Sequence, residues 1–245
     1  MDLVMVMPAY NEAGAIQDVL KDWLHVFDEV IGGEPDAYAI LVVNDGSLDD
    51  TALKVAELED PHVMLVNQRN GGHGRALYAG YMKAVGMKPD YVFQTDSDGQ
   101  TNPDEFRPMW DARDENIVIM GYRRHREDGL FRMLSTRVLR MVFTMLFHRR
   151  VVDSNTPFRL MPYGALMKAL REIQPNPDFT NILLTGAWVH DDVPIRFVEI
   201  SFRPRDTGVN SVNVRNMGVK GMDAIMEMLA LRKRLRNRKE QHRTR

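Results

Sequence analysis

Short apolar runs alternate with segments of helical spacing through the first half of the chain, and this alternation constrains the fold most. The apolar runs lie at residues 3–7, 39–43, 63–66, 91–95 and 117–120. Between the first two, Ile16, Val19, Leu20, Trp23 and Leu24 recur at the spacing of a helix face. Strand and helix in alternation build a parallel sheet that is covered by helices on both faces. We therefore predict an α/β fold, Rossmann-like, with a mostly parallel sheet.

Two carboxylates follow the apolar run 91–95, because Asp96 and Asp98 stand one residue apart. Gly99 frees the backbone, and residues 101–103 supply an N-cap and a first-turn proline for the next helix. Both aspartates therefore fall at the carboxyl end of a strand, where open α/β sheets bind ligands. Carboxylate oxygens suit a hard divalent cation that keeps several waters and bridges phosphates. Asp96 and Asp98 are metal-site candidates, and the alternative is a polar turn that only caps a helix.

A glycine-rich loop, residues 70–74, follows the third apolar run. Its spacing differs from Gly-x-Gly-x-x-Gly and it does not follow the first strand, so it is not a dinucleotide fingerprint. Glycines here let the backbone approach a ligand or a neighbouring helix, or they form an ordinary tight loop.

Residues 130–148 are largely apolar but carry a narrow polar stripe. The stripe consists of Arg132, Thr136, Arg140, Thr144 and His148, with Arg137 beside it. Internal arginines argue against a helix that crosses the bilayer. We predict an amphipathic helix over about 128–150 that lies in a membrane interface, and the alternative is a core helix with one solvent edge.

Composition and charge narrow the function classes. The chain has no cysteine, which excludes disulfides, thiolate metal sites and cysteine nucleophiles. The start of the chain lacks a basic region ahead of its apolar run, so we expect no signal peptide. Residues 1–231 are predicted to form one domain and 232–245 a basic C-terminal tail. This tail and a second basic cluster at 123–150 suggest anionic partners, either phosphates or a membrane surface.

Four motifs occur in a fixed order, three of them at the end of a predicted strand and the last in a loop that follows one. They are Pro8-Ala9-Tyr10-Asn11-Glu12, Val43-Asn44-Asp45-Gly46-Ser47, Asp96-Ser97-Asp98-Gly99-Gln100, and Arg205-Asp206-Thr207-Gly208 with Ser211. Together they resemble the family-2 glycosyltransferases of GT-A fold. Within that family, Gly121-Tyr122-Arg123 and the segment 153–160 resemble the dolichyl- and polyprenyl-phosphate mannosyl- and glucosyltransferases.

The resemblance implies a GT-A fold with C-terminal amphipathic helices and a metal-dependent, inverting transfer by direct displacement. The sugar, of mannose or glucose type, would move from a GDP- or UDP-sugar to a polyprenyl or dolichyl phosphate, with Mg²⁺ or Mn²⁺ as cofactor. A phosphomonoester has a second pKa of about 6 and is largely anionic near neutral pH, so this acceptor needs no general base. The protein would lie peripherally on the cytoplasmic face of a membrane, without a nucleic-acid partner.

The candidate site residues divide into groups by role. Those that match the family motifs are assigned from the resemblance. The nucleotide site comprises Pro8, Ala9, Tyr10, Glu12, Asp45 and Asp96, to which we add Gly74 and Arg75 of the glycine loop. Asp96, Asp98 and Gln100 are predicted to bind the metal ion and the diphosphate. The catalytic residues are predicted to be Asp98, Arg123, Arg205 and Asp153. Arg159 and Ser211 are predicted to bind the acceptor phosphate. Guanidinium groups fit phosphate oxygens in a bidentate way that lysine does not.

The chain departs from the branch at two positions. Pro157 stands where the branch often has glycine, and Asn210-Ser211 stands where it has a lysine nearby. Two alternatives therefore stay open. One is a soluble family-2 transferase that acts on a saccharide or small-molecule hydroxyl, with Asp153, Asp191 or Asp192 as general base. The other is a nucleotide-sugar-binding or nucleic-acid-binding protein without catalysis, for which the basic tail is the only positive feature.

Overall fold

The computed structural model describes residues 1–123, 130–202 and 217–243, and these residues form an α/β fold around a seven-stranded sheet. The strands are β1 Leu3–Ala9, β2 Tyr38–Asp45, β3 Val63–Gln68, β4 Tyr91–Gln94, β5 Val118–Tyr122, β6 Arg159–Pro162 and β7 Ile195–Glu199. The helices are α1 Ile16–Val30, α2 Thr51–Ala56, α3 His73–Met87, α4 Phe106–Asp111, α5 Leu130–Phe147, α6 Tyr163–Leu170, α7 Thr180–His190 and α8 Met217–Arg243.

The sheet is mostly parallel, as predicted, with the strand order β3-β2-β1-β4-β6-β5-β7. Among the described strands only β6 is reversed, because it runs antiparallel to both β4 and β5. This reversal places the start of β6, Arg159, beside Gln94 at the carboxyl end of β4. The loop that precedes β6 therefore reaches the edge of the sheet where Asp96 and Asp98 lie. The alternation of helix and strand does not predict this reversal.

Two hydrophobic layers cover the sheet, and alternate residues of β1 contribute to each. Leu3 and Met5 pack with Trp23 of α1 in one layer. Val4 and Val6 pack with Tyr81 of α3 in the other, which also holds residues of α5, α6, α7 and α8. Because β1 is buried on both faces, its sequence is a continuous apolar run.

Helix α5 has features of both a core helix and an amphipathic interfacial helix, the two interpretations of its sequence. Phe143 and Phe147 are buried in the core layer that α7 and α8 share. Met141 and Met145 are nevertheless 57% and 55% exposed, and Arg140 is exposed beside them. One face of α5 is therefore a core face, and the opposite face presents apolar side chains next to an arginine. No helix in the described ranges is long and apolar enough to cross a membrane.

The described part of the predicted basic tail is continuous with α8 and packs on the body. Arg238 pairs with Glu172 at 2.7 Å and also with Asp191. The Nη1 of Arg234 donates to the carbonyl oxygen of Glu172 at 3.0 Å. The predicted basic tail thus continues α8 in its described part, and Arg238 has acidic partners that charge counting along the sequence does not reveal.

Candidate active site

A cleft of about 640 Å³ opens at the carboxyl ends of β1, β2 and β4. Its lining includes seven of the predicted site residues, namely Pro8, Ala9, Tyr10, Glu12, Asp45, Asp96 and Asp98. They meet because the three strands are parallel neighbours, with Ala9 opposite Asn44 and Val6 opposite Gln94. The lining also includes Asn11 and Ser97 of the motifs and Asn70, Gly72 and His73 of the glycine-rich loop, none of which was assigned a role. Sequence reasoning missed Ala76 and Lys220 altogether.

The loop after β1 is held in shape by the loop after β2. The main-chain N–H of Asn11 donates to Ser47 Oγ at 3.0 Å, and Asn11 Oδ1 accepts from the N–H of Leu48 at 2.8 Å. The N–H of Glu12 donates to Thr51 Oγ1 at 2.8 Å. Two of the motifs that carry the family resemblance are therefore bound to one another, which fixes this wall of the cleft and leaves Tyr10 exposed at its rim.

Asp45 is buried and organises the glycine loop. Its Oδ1 accepts from the main-chain N–H of Gly71 at 2.8 Å and from Gln68 Nε2 at 2.6 Å. Its Oδ2 accepts from the N–H of Gly72 at 2.8 Å. Each carboxylate oxygen offers two lone-pair directions, so a ligand on the open side of the cleft can still donate to Asp45.

Asp96 and Asp98 project from the turn after β4. Asp96 Oδ1 lies 3.5 Å from Gln94 Nε2 and 3.8 Å from His73 Nε2. Asp98 Oδ1 accepts from the main-chain N–H of Gln100 at 3.2 Å, so Gln100 orients Asp98 although it is absent from the cleft lining. Gly99 has a φ of +71°, the left-handed conformation that its position in the sequence predicts.

The donor set of this turn fits a hard divalent cation. In the described ranges, no three His, Asp or Glu side chains are grouped so that the protein alone would hold a metal ion. Two carboxylates on an open cleft are instead the set that Mg²⁺ uses when waters and substrate phosphates complete its coordination. Asp96 and Asp98 are therefore the residues that would hold the ion.

Arg159 is 0% exposed and lies behind the cleft rather than in it. Its Nε and Nη2 donate to the carbonyl oxygen of Thr156 at 3.0 and 2.6 Å, and its Nη1 donates to that of Asn181 at 3.2 Å. Burial lowers the pKa of this guanidinium, and the carboxylates of Asp153 and Asp96, with the nearby Tyr81, act in the opposite direction. This placement corrects the prediction that Arg159 contacts an acceptor phosphate, because its donors hold the main chain of the loop before β6.

A buried polar network connects Arg159 to Asp96, and sequence reasoning missed it. Asn181 Nδ2 donates to Gln94 Oε1 at 3.1 Å, and the Tyr81 hydroxyl lies 3.1 Å from the same oxygen. Burial raises the pKa of Tyr81, which keeps its phenol protonated as a donor. Gln94 was the available signal, since an amide at the end of an apolar strand needs a partner.

Gly74 and Arg75 pack against the loop before α7 and do not line the cleft. Arg75 Nε donates to Asp178 Oδ1 at 2.8 Å, and Thr180 Oγ1 donates to the carbonyl oxygen of Gly74 at 2.5 Å. A Cβ atom on Gly74 would lie well inside van der Waals contact with the carbonyl group of Asp178. The assignment of these two residues to the nucleotide site is therefore corrected to a packing role.

We expect Gly74→Ala to lower the free energy of unfolding by about 1–3 kcal/mol, because the backbone of Asp178 must move to admit a methyl group. Gly86→Ala in the same helix is the matched control, since no atom lies within 4 Å of its added Cβ. The control should be neutral or up to about 1 kcal/mol more stable. Urea unfolding of both variants measures this, and equal stabilities would contradict the packing role of Gly74.

Of the remaining predicted residues, the structure describes Arg123 and Asp153. Arg123 follows β5, and its guanidinium carbon lies 3.2 Å from the ring centroid of Phe202. Asp153 accepts a hydrogen bond from the N–H of Asn155 at 2.9 Å. Arg205 and Ser211 lie outside the described residues.

Two of the candidate general bases for a hydroxyl acceptor are engaged elsewhere. Asp191 pairs with Arg238 and with Lys168, the latter at 3.2 Å, and it lies just after the last residue of α7. Asp192 pairs with Arg149 at 2.8 Å. Neither lines the cleft, which disfavours both as bases and leaves Asp153 as the third candidate of the hydroxyl-acceptor alternative.

The chain is similar in sequence to known glycosyltransferases. The sequence profile of glycosyl transferase family 2 matches residues 4–173. The undecaprenyl-phosphate 4-deoxy-4-formamido-L-arabinose transferase of Klebsiella pneumoniae (strain 342) is 30% identical over 172 residues, which are 68% of this chain and 48% of that protein. The enzyme of the same name from Proteus mirabilis (strain HI4320) is 28% identical over the same shares of each chain. The chain thus spans about half the length of these relatives.

The fold is shared with a solved glycosyltransferase structure. Glucosyl-3-phosphoglycerate synthase from Mycobacterium tuberculosis, crystallised with Mn²⁺ and UDP-glucose, superposes with a TM-score of 0.66. The match covers 94% of this chain and 78% of that one at 18% identity. At this identity the likeness concerns the fold, and it agrees with the GT-A architecture that the sheet order indicates.

Proposed function

The chain belongs to glycosyl transferase family 2, and from this premise we propose that it transfers a sugar from a nucleotide-sugar donor to a polyprenyl phosphate at a membrane surface. The observation that carries the proposal is the common edge of the sheet. Asp96 and Asp98 follow β4 at this edge, and the antiparallel β6 brings the loop 153–158 to the same edge. The proposed donor cleft and the proposed acceptor segment would thereby be adjacent. Residues 1–231 would act as one catalytic domain.

The donor half of the proposal depends on the charge of the leaving group. A nucleoside diphosphate leaves readily only when its developing negative charge is neutralised. When bound, Mg²⁺ or Mn²⁺ supplies this neutralisation as a Lewis acid. Asp96 and Asp98 would hold the ion, while the wall formed by Pro8, Ala9 and Tyr10 would bind the nucleotide. We propose a UDP- or GDP-linked sugar of mannose or glucose type as the donor.

The acceptor half is supported by the relatives, whose name states that they act on undecaprenyl phosphate. A phosphate acceptor is already an anionic nucleophile, so displacement with inversion requires no protein base. Arg123 and Arg205 are proposed to bind the acceptor phosphate or the leaving diphosphate, because guanidinium groups bind phosphate oxygens in pairs. Asp153 would act on this side of the cleft by shaping the acceptor loop.

Partnership with a membrane surface is supported by the exposed faces of α5 and α8. Large apolar side chains are exposed on both helices, namely Val138, Met141 and Met145 on α5 and Val219, Met222, Met226 and Leu229 on α8. Arg137 and Arg140 are exposed on the same stretch of α5. Apolar side chains flanked by arginines suit an interface that contains both acyl chains and anionic head groups.

The test is a donor panel of UDP- and GDP-sugars with Mn²⁺, with and without a short polyprenyl phosphate. We expect release of the nucleoside diphosphate that depends on the lipid phosphate and stops when the metal is chelated. The matched control is the corresponding polyprenol, which lacks the phosphate and should support no release. Metal-dependent turnover that is indifferent to the lipid would move the acceptor to a hydroxyl compound.

A further inference from the structure

The described lining of the cleft is rich in carboxylates. Glu12, Asp45, Asp96 and Asp98 all contribute to it. Lys220 is the only lysine or arginine among the described lining residues. A diphosphate adds further negative charge to such a cleft, so a cation at this place has a direct electrostatic effect on binding.

The position of Lys220 on α8 shows which face of the helix carries it. Ala224, Met228, Leu231 and Leu235 form the buried stripe of this helix. Lys220 precedes Ala224 by four residues, so it continues the same stripe by one helical turn. The stripe that packs on the body further along α8 therefore ends in a lysine where the helix meets the cleft. Lys220 is exposed at this end of the helix and lines the cleft.

The helix that carries Lys220 is fixed to the body close to the cleft. The carboxylate of Glu227 accepts from the main-chain N–H groups of Asp178 and Phe179 at 2.9 and 3.2 Å. The pair between Arg238 and Glu172 fixes the other end of α8. Lys220 itself forms no ion pair with any residue of the described ranges. Its ammonium group is thus held near the cleft by a rigid element and is available to a ligand.

We propose that Lys220 binds the diphosphate of the nucleotide-sugar donor and stabilises it as the leaving group. This inference rests on the proposed function. An ammonium group donates charge-assisted hydrogen bonds to phosphate oxygens.

The experiment is calorimetric titration of UDP, GDP and the corresponding nucleosides in the presence of Mn²⁺. For Lys220→Gln we expect the Kd of the bound nucleoside diphosphate to rise about tenfold, as loss of one charge-assisted contact implies. The Kd of the nucleoside should not change, and Lys220→Arg should stay within about threefold of the wild type. Lys233→Gln is the matched control, since Lys233 is exposed on the same helix and absent from the cleft lining.

The outcomes separate this inference from the function on which it rests. If the wild-type protein binds neither UDP nor GDP, the proposed function fails, and the inference fails with it. If the wild type binds one of them and Lys220→Gln binds it equally well, the role of Lys220 is overturned and the proposed function stands. Equal losses for nucleoside and diphosphate would also overturn it, because they indicate damage to the cleft as a whole.

Discussion

Asp98→Ala is expected to abolish sugar transfer while the fold stays intact. Asp98 lines the cleft, and the main-chain N–H of Gln100 donates to its carboxylate within the same turn. Removal of the carboxylate takes away one of the two ligands proposed for the cation that neutralises the leaving diphosphate. Loss of such transition-state stabilisation lowers kcat by about a thousandfold or more. Steady-state kinetics with saturating Mn²⁺ measures the loss.

Stability measurements distinguish this role from that of a polar turn. If Asp98 only shaped the turn, its replacement would lower the free energy of unfolding and would leave catalysis largely unchanged. We expect the reverse, with stability within about 0.5 kcal/mol of the wild type, as for a partly exposed side chain without long-range contacts. Asp104→Ala is the matched control, because Asp104 is exposed nearby and absent from the cleft lining. Full activity of Asp98→Ala would contradict the assignment of Asp98 as a metal ligand.

The parts of the site that could be predicted from the sequence are those that follow from strand periodicity. A strand buried on both faces is a continuous apolar run, and the polar residue that ends it marks the carboxyl edge of the sheet. Because β1, β2 and β4 are parallel neighbours, Glu12, Asp45 and Asp96 must meet at that edge. The cleft could thus be assembled without knowledge of side-chain contacts.

The parts that could not be predicted depend on contacts between distant segments. Arg75 lies next to a glycine loop in the sequence, yet its partner is Asp178, which is 103 residues away. Arg159 follows a loop that resembles an acceptor motif, yet its side chain is buried and bonds to the main-chain carbonyl groups of Thr156 and Asn181. Neither local spacing nor charge determines these outcomes. Lys220 was missed for the same reason, since only the packing of α8 brings it to the cleft.

The remaining large effect is a loss of stability when Arg159 is replaced. Arg159→Met should lower the free energy of unfolding by about 3 kcal/mol, since the carbonyl oxygens of Thr156 and Asn181 lose a charged donor and stay buried. Removal of a buried charge offsets part of this loss, because burial disfavours the charged guanidinium. Urea unfolding monitored by circular dichroism measures the change.

Replacement of Arg159 by lysine distinguishes two roles for this residue, namely support of the loop before β6 and direct binding of the acceptor phosphate. The guanidinium reaches the carbonyl groups of Ser154, Thr156 and Asn181 from two separate nitrogen atoms, and the donors of an ammonium group radiate from one nitrogen and do not match this geometry. Arg159→Lys should therefore also destabilise the fold, and transfer should fall because the loop before β6 is displaced. Direct binding of the acceptor phosphate would instead raise the KM for the lipid and leave the unfolding curve unchanged. Arg107→Met is the control, since its exposed pair with Glu29 at 3.5 Å predicts a change of less than about 1 kcal/mol.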